Sequence, residues 1–274
     1  MRSILLAASA LFAVASPAMA QEVEEKPFDG VYIGGSFGYT VQSNDGNEGV
    51  TFDRNLDGQF GDTIVNTSNV NVFPGFCGGR PNGNSLATGC TGDKDGIEYY
   101  ARIGADKQVG SFVYGVVGEF GKSEASDSVT AFSSTPANYQ FTRELDWNAA
   151  VRARAGFAAN TTLFYGTFGA TYGKINNSFT STNTANAYEG RGEDMEWGWQ
   201  AGGGIEQKLG RNFSVGMEYL YTRFDQDDYV VRASQGTAPA THPFVLGNPA
   251  GTDFARTNGR FDTHGLRLTA ALRF

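Results

Sequence analysis

Leu266-Arg267-Leu268-Thr269-Ala270-Ala271-Leu272-Arg273-Phe274 alternates residue by residue and stops on an aromatic ring. One face carries Leu266, Leu268, Ala270, Leu272 and Phe274. The other, with Gly265, carries Arg267, Thr269, Ala271 and Arg273. A period of two is the period of a β-strand. Two arginines on one face, opposite an unbroken apolar face, suit a strand with lipid on one side and a polar lumen on the other. That is the pattern of a transmembrane β-barrel.

The other end of the chain agrees. Arg2 is followed by an apolar stretch over 4–15, a break at Pro17 and the small-x-small pattern Ala18-Met19-Ala20. These are the three parts of a secretory signal, expected to be removed after Ala20. The expected organisation is therefore a signal peptide at 1–20, a short periplasmic segment at 21–27 and a barrel domain at 28–274. The apolar stretch is too short for a membrane helix, which needs roughly 20 residues. No second one approaches that length, so a crossing must be made by strands, which satisfy their backbone polar groups by closing on themselves. The 37 glycines and 13% aromatic content suit a small barrel, with a crowded lumen and ringed rims. The formal charge of −8 lacks the basic stripe of a nucleic-acid partner. Cys77 and Cys90, close together in one polar segment of an exported chain, predict a local disulfide, and their spacing excludes a CxxC metal site.

Eight alternating runs follow along the chain: 28–41, 96–107, 111–122, 145–158, 162–175, 195–208, 213–224 and 261–274. In the fifth run both registers carry aromatics, and the favoured outward set is Phe164, Phe168 and Tyr172. Short connections at 108–110, 159–161 and 209–212 alternate with long ones at 42–95, 123–144, 176–194 and 225–260. The predicted fold is all-β: an eight-stranded antiparallel transmembrane β-barrel with short periplasmic turns and four long extracellular loops. Aromatics fall at the strand ends. Phe112, Phe157, Phe164, Phe213 and Phe274 lie near the short turns. Tyr39, Tyr99, Phe120, Trp147, Tyr172, Trp197 and Trp199 lie near the long loops. Interface girdles have this distribution.

The inward face of this register carries Glu98, Arg102, Glu119, Arg152, Arg154, Glu206, Glu218, Arg267 and Arg273. Buried ions are costly unless paired. The expectation is a central ion-pair network of Glu119 and Glu218 with Arg102, Arg152, Arg154 and Arg267, either plugging the lumen or gating a narrow conductance. Arginines placed instead toward lipid at mid-depth would cost about 2–4 kcal/mol each.

The entry strand Phe28-Asp29-Gly30-Val31-Tyr32-Ile33-Gly34-Gly35, the run Gly-Ile-Glu-Tyr-Tyr-Ala-Arg-Ile-Gly at 96–104, the eight-strand rhythm and the closing strand ending at Phe274 carry a resemblance. The chain resembles the OmpA-like outer-membrane β-barrel family, especially the small porin-family proteins of alphaproteobacteria. The resemblance implies the cell outer membrane as location. It also implies that Phe274, Leu272, Ala270 and Leu268 form the signal read by the outer-membrane assembly machinery. Outer-membrane lipid and lipopolysaccharide are the expected surroundings. The family hosts diverse roles, so the resemblance fixes a fold before a function.

Two further patterns bear on chemistry. Asp53-Arg54-Asn55-Leu56-Asp57-Gly58-Gln59-Phe60-Gly61-Asp62 looks like the front of a calcium loop, with oxygen side chains at positions one, three and five and glycine at six. It departs at position twelve, where Ile64 stands in place of a bidentate Glu. The two readings are an acidic turn and a Ca²⁺ site using Asp53, Asn55, Asp57 and Asp62. No other cofactor is expected. The two histidines, His242 and His264, have no adjacent serine nucleophile, so no catalytic residues and no enzyme activity are expected. The leading functional expectation is a structural outer-membrane protein supporting envelope integrity and surface contact. The alternatives are a porin-like narrow channel for small hydrophilic solutes, and an adhesin or ligand-binding barrel acting through 42–95 and 225–260.

Overall fold

The computed structural model describes residues 26–42, 48–226 and 229–274. The expected leader at 1–20 and residues 21–25 of the expected periplasmic segment lie outside the described residues. In chain order the strands are β1 (Gly30–Gln42), β2 (Val50–Asp53), β3 (Gly75–Gly78), β4 (Arg80–Pro81), β5 (Cys90–Thr91), β6 (Gly96–Val109), β7 (Phe112–Ser123) and β8 (Ser126–Ser133). There follow β9 (Ala137–Ala159), β10 (Thr162–Ser181), β11 (Ala187–Arg191), β12 (Met195–Lys208), β13 (Phe213–Asp225), β14 (Val230–Ser234), β15 (Thr252–Arg256) and β16 (Arg260–Arg273); the helical elements among the described residues are a 3-10 turn at Leu86–Thr88, between β4 and β5, and the short α1 (Pro243–Leu246), before β15.

Eight of these strands close a barrel in the order β1, β6, β7, β9, β10, β12, β13, β16, each antiparallel to the next, and β16 returns to β1. Alternation sets the facing. Ile103 is 64% exposed and Val151 66%, whereas Arg152 and Glu218 are fully buried. A soluble protein does not leave so broad an apolar wall open to water, and lipid is its solvent here. Phe164, Phe168 and Tyr172 lie on the outward face of β10, and the rings at the strand ends pair across strands. Phe112 meets Phe157 at 5.6 Å, and Tyr172 meets Trp197 at 4.8 Å.

The long connections are more ordered than a loop reading implies. β2, β15, β14 and β11 make a separate antiparallel sheet, and β3 and β8 extend the barrel sheet beside the upper half of β9. Together they form a cap with its own apolar core of Val50, Phe52, Ile64, Phe73, Phe141 and Phe254 among others. Phe52 packs on Phe73 at 4.5 Å and edge-on to Phe254 at 4.9 Å. α1 begins at Pro243, its N-cap His242 accepts from the Phe244 N–H at 3.3 Å, and it turns Phe244 and Val245 into that core. The Cys77–Cys90 disulfide ties β3 to β5.

One irregularity joins the two parts. Between β9 and β10 the ladder slips: Trp147 faces Lys174 and Leu145 faces Ile175, so Asp146 is an extra residue on β9. A bulge of this kind shifts the side-chain phase of its strand. Below it the even residues Asn148, Arg152 and Arg154 point inward; above it Leu145, Arg143, Phe141 and Tyr139 do.

Candidate functional site

The lumen is filled in layers. At the short-turn end Phe28, Val113, Ala158, Leu163 and Tyr165 pack together, with the Phe28 N–H donating to Gln108 Oε1 at 3.0 Å. Above them lies a four-residue ionic layer. Arg154 meets Glu206 at 2.8 Å and Asp106 at 3.6 Å; Arg273 meets Asp106 at 2.9 Å and Glu206 at 2.8 Å. Two acids and two arginines balance. The Arg154 guanidinium also lies 4.1 Å from the centre of the Tyr165 ring.

The next layer holds three acids and three arginines. Arg102 reaches Glu119 at 2.7 Å and Glu218 at 3.0 Å. Arg152 reaches the same two at 2.6 and 3.1 Å. Arg267 reaches Glu98 at 2.8 Å and Glu119 at 3.1 Å. Tyr165 donates its hydroxyl to Glu218 at 2.8 Å, and Gln200 Oε1 accepts from Arg152 at 2.6 Å. Gly265 makes room here: a side chain at that position would collide with the Glu98 carboxylate. Toward the cap the lumen closes over Leu145, Ile175, Phe224 and Phe261.

The structure therefore brings Glu119, Glu218, Arg102, Arg152 and Arg267 together. It separates Arg154 from them: two residues along β9 from Arg152, it sits one layer lower, against Glu206 and Asp106. Strand tilt and stagger, which parity does not encode, set that depth. Glu98 and Asp106 complete the two layers. Both lie on the inward parity of β6, which is the signal that finds them.

The remaining expected residues fall as follows. Leu268, Ala270 and Leu272 lie on the outward face of β16; Leu268 and Leu272 are exposed, and Phe274 follows beside β1, its N–H donating to the Val31 carbonyl at 2.9 Å. Asp53 accepts from the N–H groups of Asp57 at 3.2 Å and Gly58 at 2.8 Å, and Asp57 accepts from that of Gln59 at 2.8 Å. Asn55 donates to Asp57 at 2.9 Å, and Asp62 accepts from the Arg54 N–H at 2.8 Å. These carboxylates are spent on their own turn, and Asp53, Asp57 and Asp62 do not converge on one point. Among the described residues the three-carboxylate group within 4.8 Å is Glu48, Asp93 and Asp127. His264 lies on the outer wall, its Nδ1 2.7 Å from the Tyr219 hydroxyl.

The model of the family described as outer membrane protein beta-barrel domain matches residues 4–274. The chain is 33% identical over 111 residues to the 31 kDa outer-membrane immunogenic protein of Brucella melitensis, covering 40% of this chain and 46% of that protein. It is 29% identical over 126 residues to the 22 kDa outer membrane protein of Rhizobium leguminosarum, covering 46% and 52%. The chain thus spans about half the length of these curated relatives. Among solved structures, Ail, the attachment invasion locus protein of Yersinia pestis, aligns with 90% of this chain and 99% of its own at 15% identity and a TM-score of 0.34.

Proposed function

The chain belongs to the outer membrane protein beta-barrel domain family and resides in the outer membrane, and from that premise we propose that it is a non-conducting structural barrel. It holds a rigid cap at the cell surface, where it supports the envelope and makes surface contacts. One observation carries this reading: the lumen is stacked with paired ions and apolar layers, and a cap with its own core covers the mouth. An eight-strand interior is about the width its side chains fill. The segments 42–95 and 225–260, which supply β2, β14 and β15, present the surface available to a contact. The Brucella relatives are described as immunogenic, which fits an exposed, ordered platform.

Planar-bilayer recording on the folded full chain tests the first half. The expected result is no conductance above the lipid background; reproducible unitary steps would restore the channel reading. Whole-cell labelling of the cap with a membrane-impermeant amine reagent tests the second. Reaction at Lys94 in intact cells is expected, and protection there until the envelope is broken would overturn surface display.

A further inference from the structure

The barrel mouth and the cap meet at one charged cluster. Arg143, on β9 above the bulge, donates to Asp127 of β8 at 2.6 Å and lies 3.7 Å from Glu48, which leads into β2. It also donates to the Gly259 carbonyl at 3.0 Å and to the Arg260 carbonyl, at the start of β16. Arg256, which ends β15, meets Glu48 at 3.0 Å and Asp127 at 2.8 Å. Asp93, ahead of β6, accepts from the Ser128 N–H at 2.7 Å. The cluster thus clasps β2, β8 and β15 of the cap to β9 and to the segments entering β6 and β16.

Its charges do not balance. Three carboxylates, with oxygens within 4.8 Å of one another, face two guanidiniums. Arg256 is mostly enclosed, its Nη2 serves both Glu48 and Asp127, and its Nε and Nη1 make no hydrogen bond. An excess of negative charge among carboxylates that are partly or fully buried is costly, and one of them takes up a proton instead. A divalent cation would cancel the charge too, but Arg143 and Arg256 already face these oxygens and would repel it.

We propose that Glu48, Asp93 and Asp127 with Arg143 and Arg256 form a proton-operated latch. With a proton held among the carboxylates the cap is clamped to the barrel mouth; when it is lost the cap loosens while the barrel stays closed. The inference goes beyond the structural role and holds whatever the cap touches.

The charged groups bearing on Glu48 and Asp93 are Arg256, Asp127 and Arg143, from β15, β8 and β9. Burial is the leading cause that pushes Glu48 up to about 7 and Asp93 up to about 6. Both stand above their ordinary values. Their stabilisation of the clamped state is therefore complete in acid and is lost as pH rises through about 6 to 7. Full linkage gives about tenfold per pH unit for each proton. Partial solvation of both groups lowers that, and about tenfold overall is expected between pH 5 and 8.

Hydrogen exchange read by mass spectrometry on the full chain in detergent micelles tests it, as protection factors corrected for the intrinsic pH dependence of exchange. Protection of β2, β14 and β15 should fall about tenfold from pH 5 to pH 8, while β1 and β13 hold theirs. Glu48→Gln and, independently, Asp93→Asn should flatten that fall and leave the cap protected at pH 8. Cap protection that ignores pH in the parent chain, or the same fall retained in both variants, would overturn the latch. Recovery of protection at pH 8 on adding Ca²⁺ alone would overturn it in favour of a cation site.

Discussion

The barrel and the cap are built from strands of one chain, with opposite polarity. In the barrel Ile103 and Val151 face out and Arg102, Arg152 and Glu218 face in. In the cap Phe52, Phe141 and Phe254 face in, and the more exposed Arg191 and Arg232 close over the buried Asp253 at the edge. The difference follows from the solvent. A wall bathed in hydrocarbon gains nothing from hiding its aliphatic side chains, so its specificity lies in a balanced ionic interior. A cap bathed in water is held by apolar burial, worth about 1.5–3 kcal/mol for each large side chain. The bulge at Asp146 lets β9 serve both.

Glu218→Ala leaves Arg102 and Arg152 short of a counter-charge, and a loss of about 3–5 kcal/mol is expected. It is read as a lowered urea midpoint and a weakened heat-dependent gel shift of the whole barrel. Phe254→Ala opens a void in the cap core, at about 3–5 kcal/mol confined to the cap. Protease should nick the cap while the barrel keeps its compact migration; simultaneous loss of both would show that the regions melt as one. Val151→Arg places a charge against hydrocarbon and should cost about 2–4 kcal/mol of folding into lipid vesicles. The same change at Val70, 57% exposed on the cap, should be near neutral. Cys77→Ser with Cys90→Ser removes the β3–β5 staple and should cost about 2 kcal/mol, again in the cap alone. Thermal melting followed by cap-specific proteolysis measures it.

The barrel was legible because both of its surroundings force alternation. Every second residue of β6 or β16 answers to lipid and every other one to the lumen, so parity alone assigns Arg102, Arg267 and Glu98. Parity does not assign depth, which is why Arg152 and Arg154, adjacent on one face, belong to different layers. The cap was hidden for the converse reason. β8 is buried at all of its eight positions, so Ser126–Ser133 shows no period-two contrast between its faces. Short runs such as Val50–Asp53 and Thr252–Arg256 carry strand-forming residues but are too brief to announce a sheet. The Asp53–Asp62 stretch misleads in another way. The spacing that suits a hard cation also suits a turn whose carboxylates accept from its own backbone.

Asp146 has a consequence for how such a molecule tolerates change. It works like the half-step in a staircase that lets two flights meet at one landing. Taking it into a regular ladder instead of leaving it looped out would rotate the upper stretch of β9 by half a repeat, swinging Tyr139, Phe141 and Arg143 out to the medium while every rung beneath stayed in place. Lengthening that stretch by pairs of residues would raise the platform without turning it. Growth of the cap is therefore permitted in even steps and penalised in odd ones.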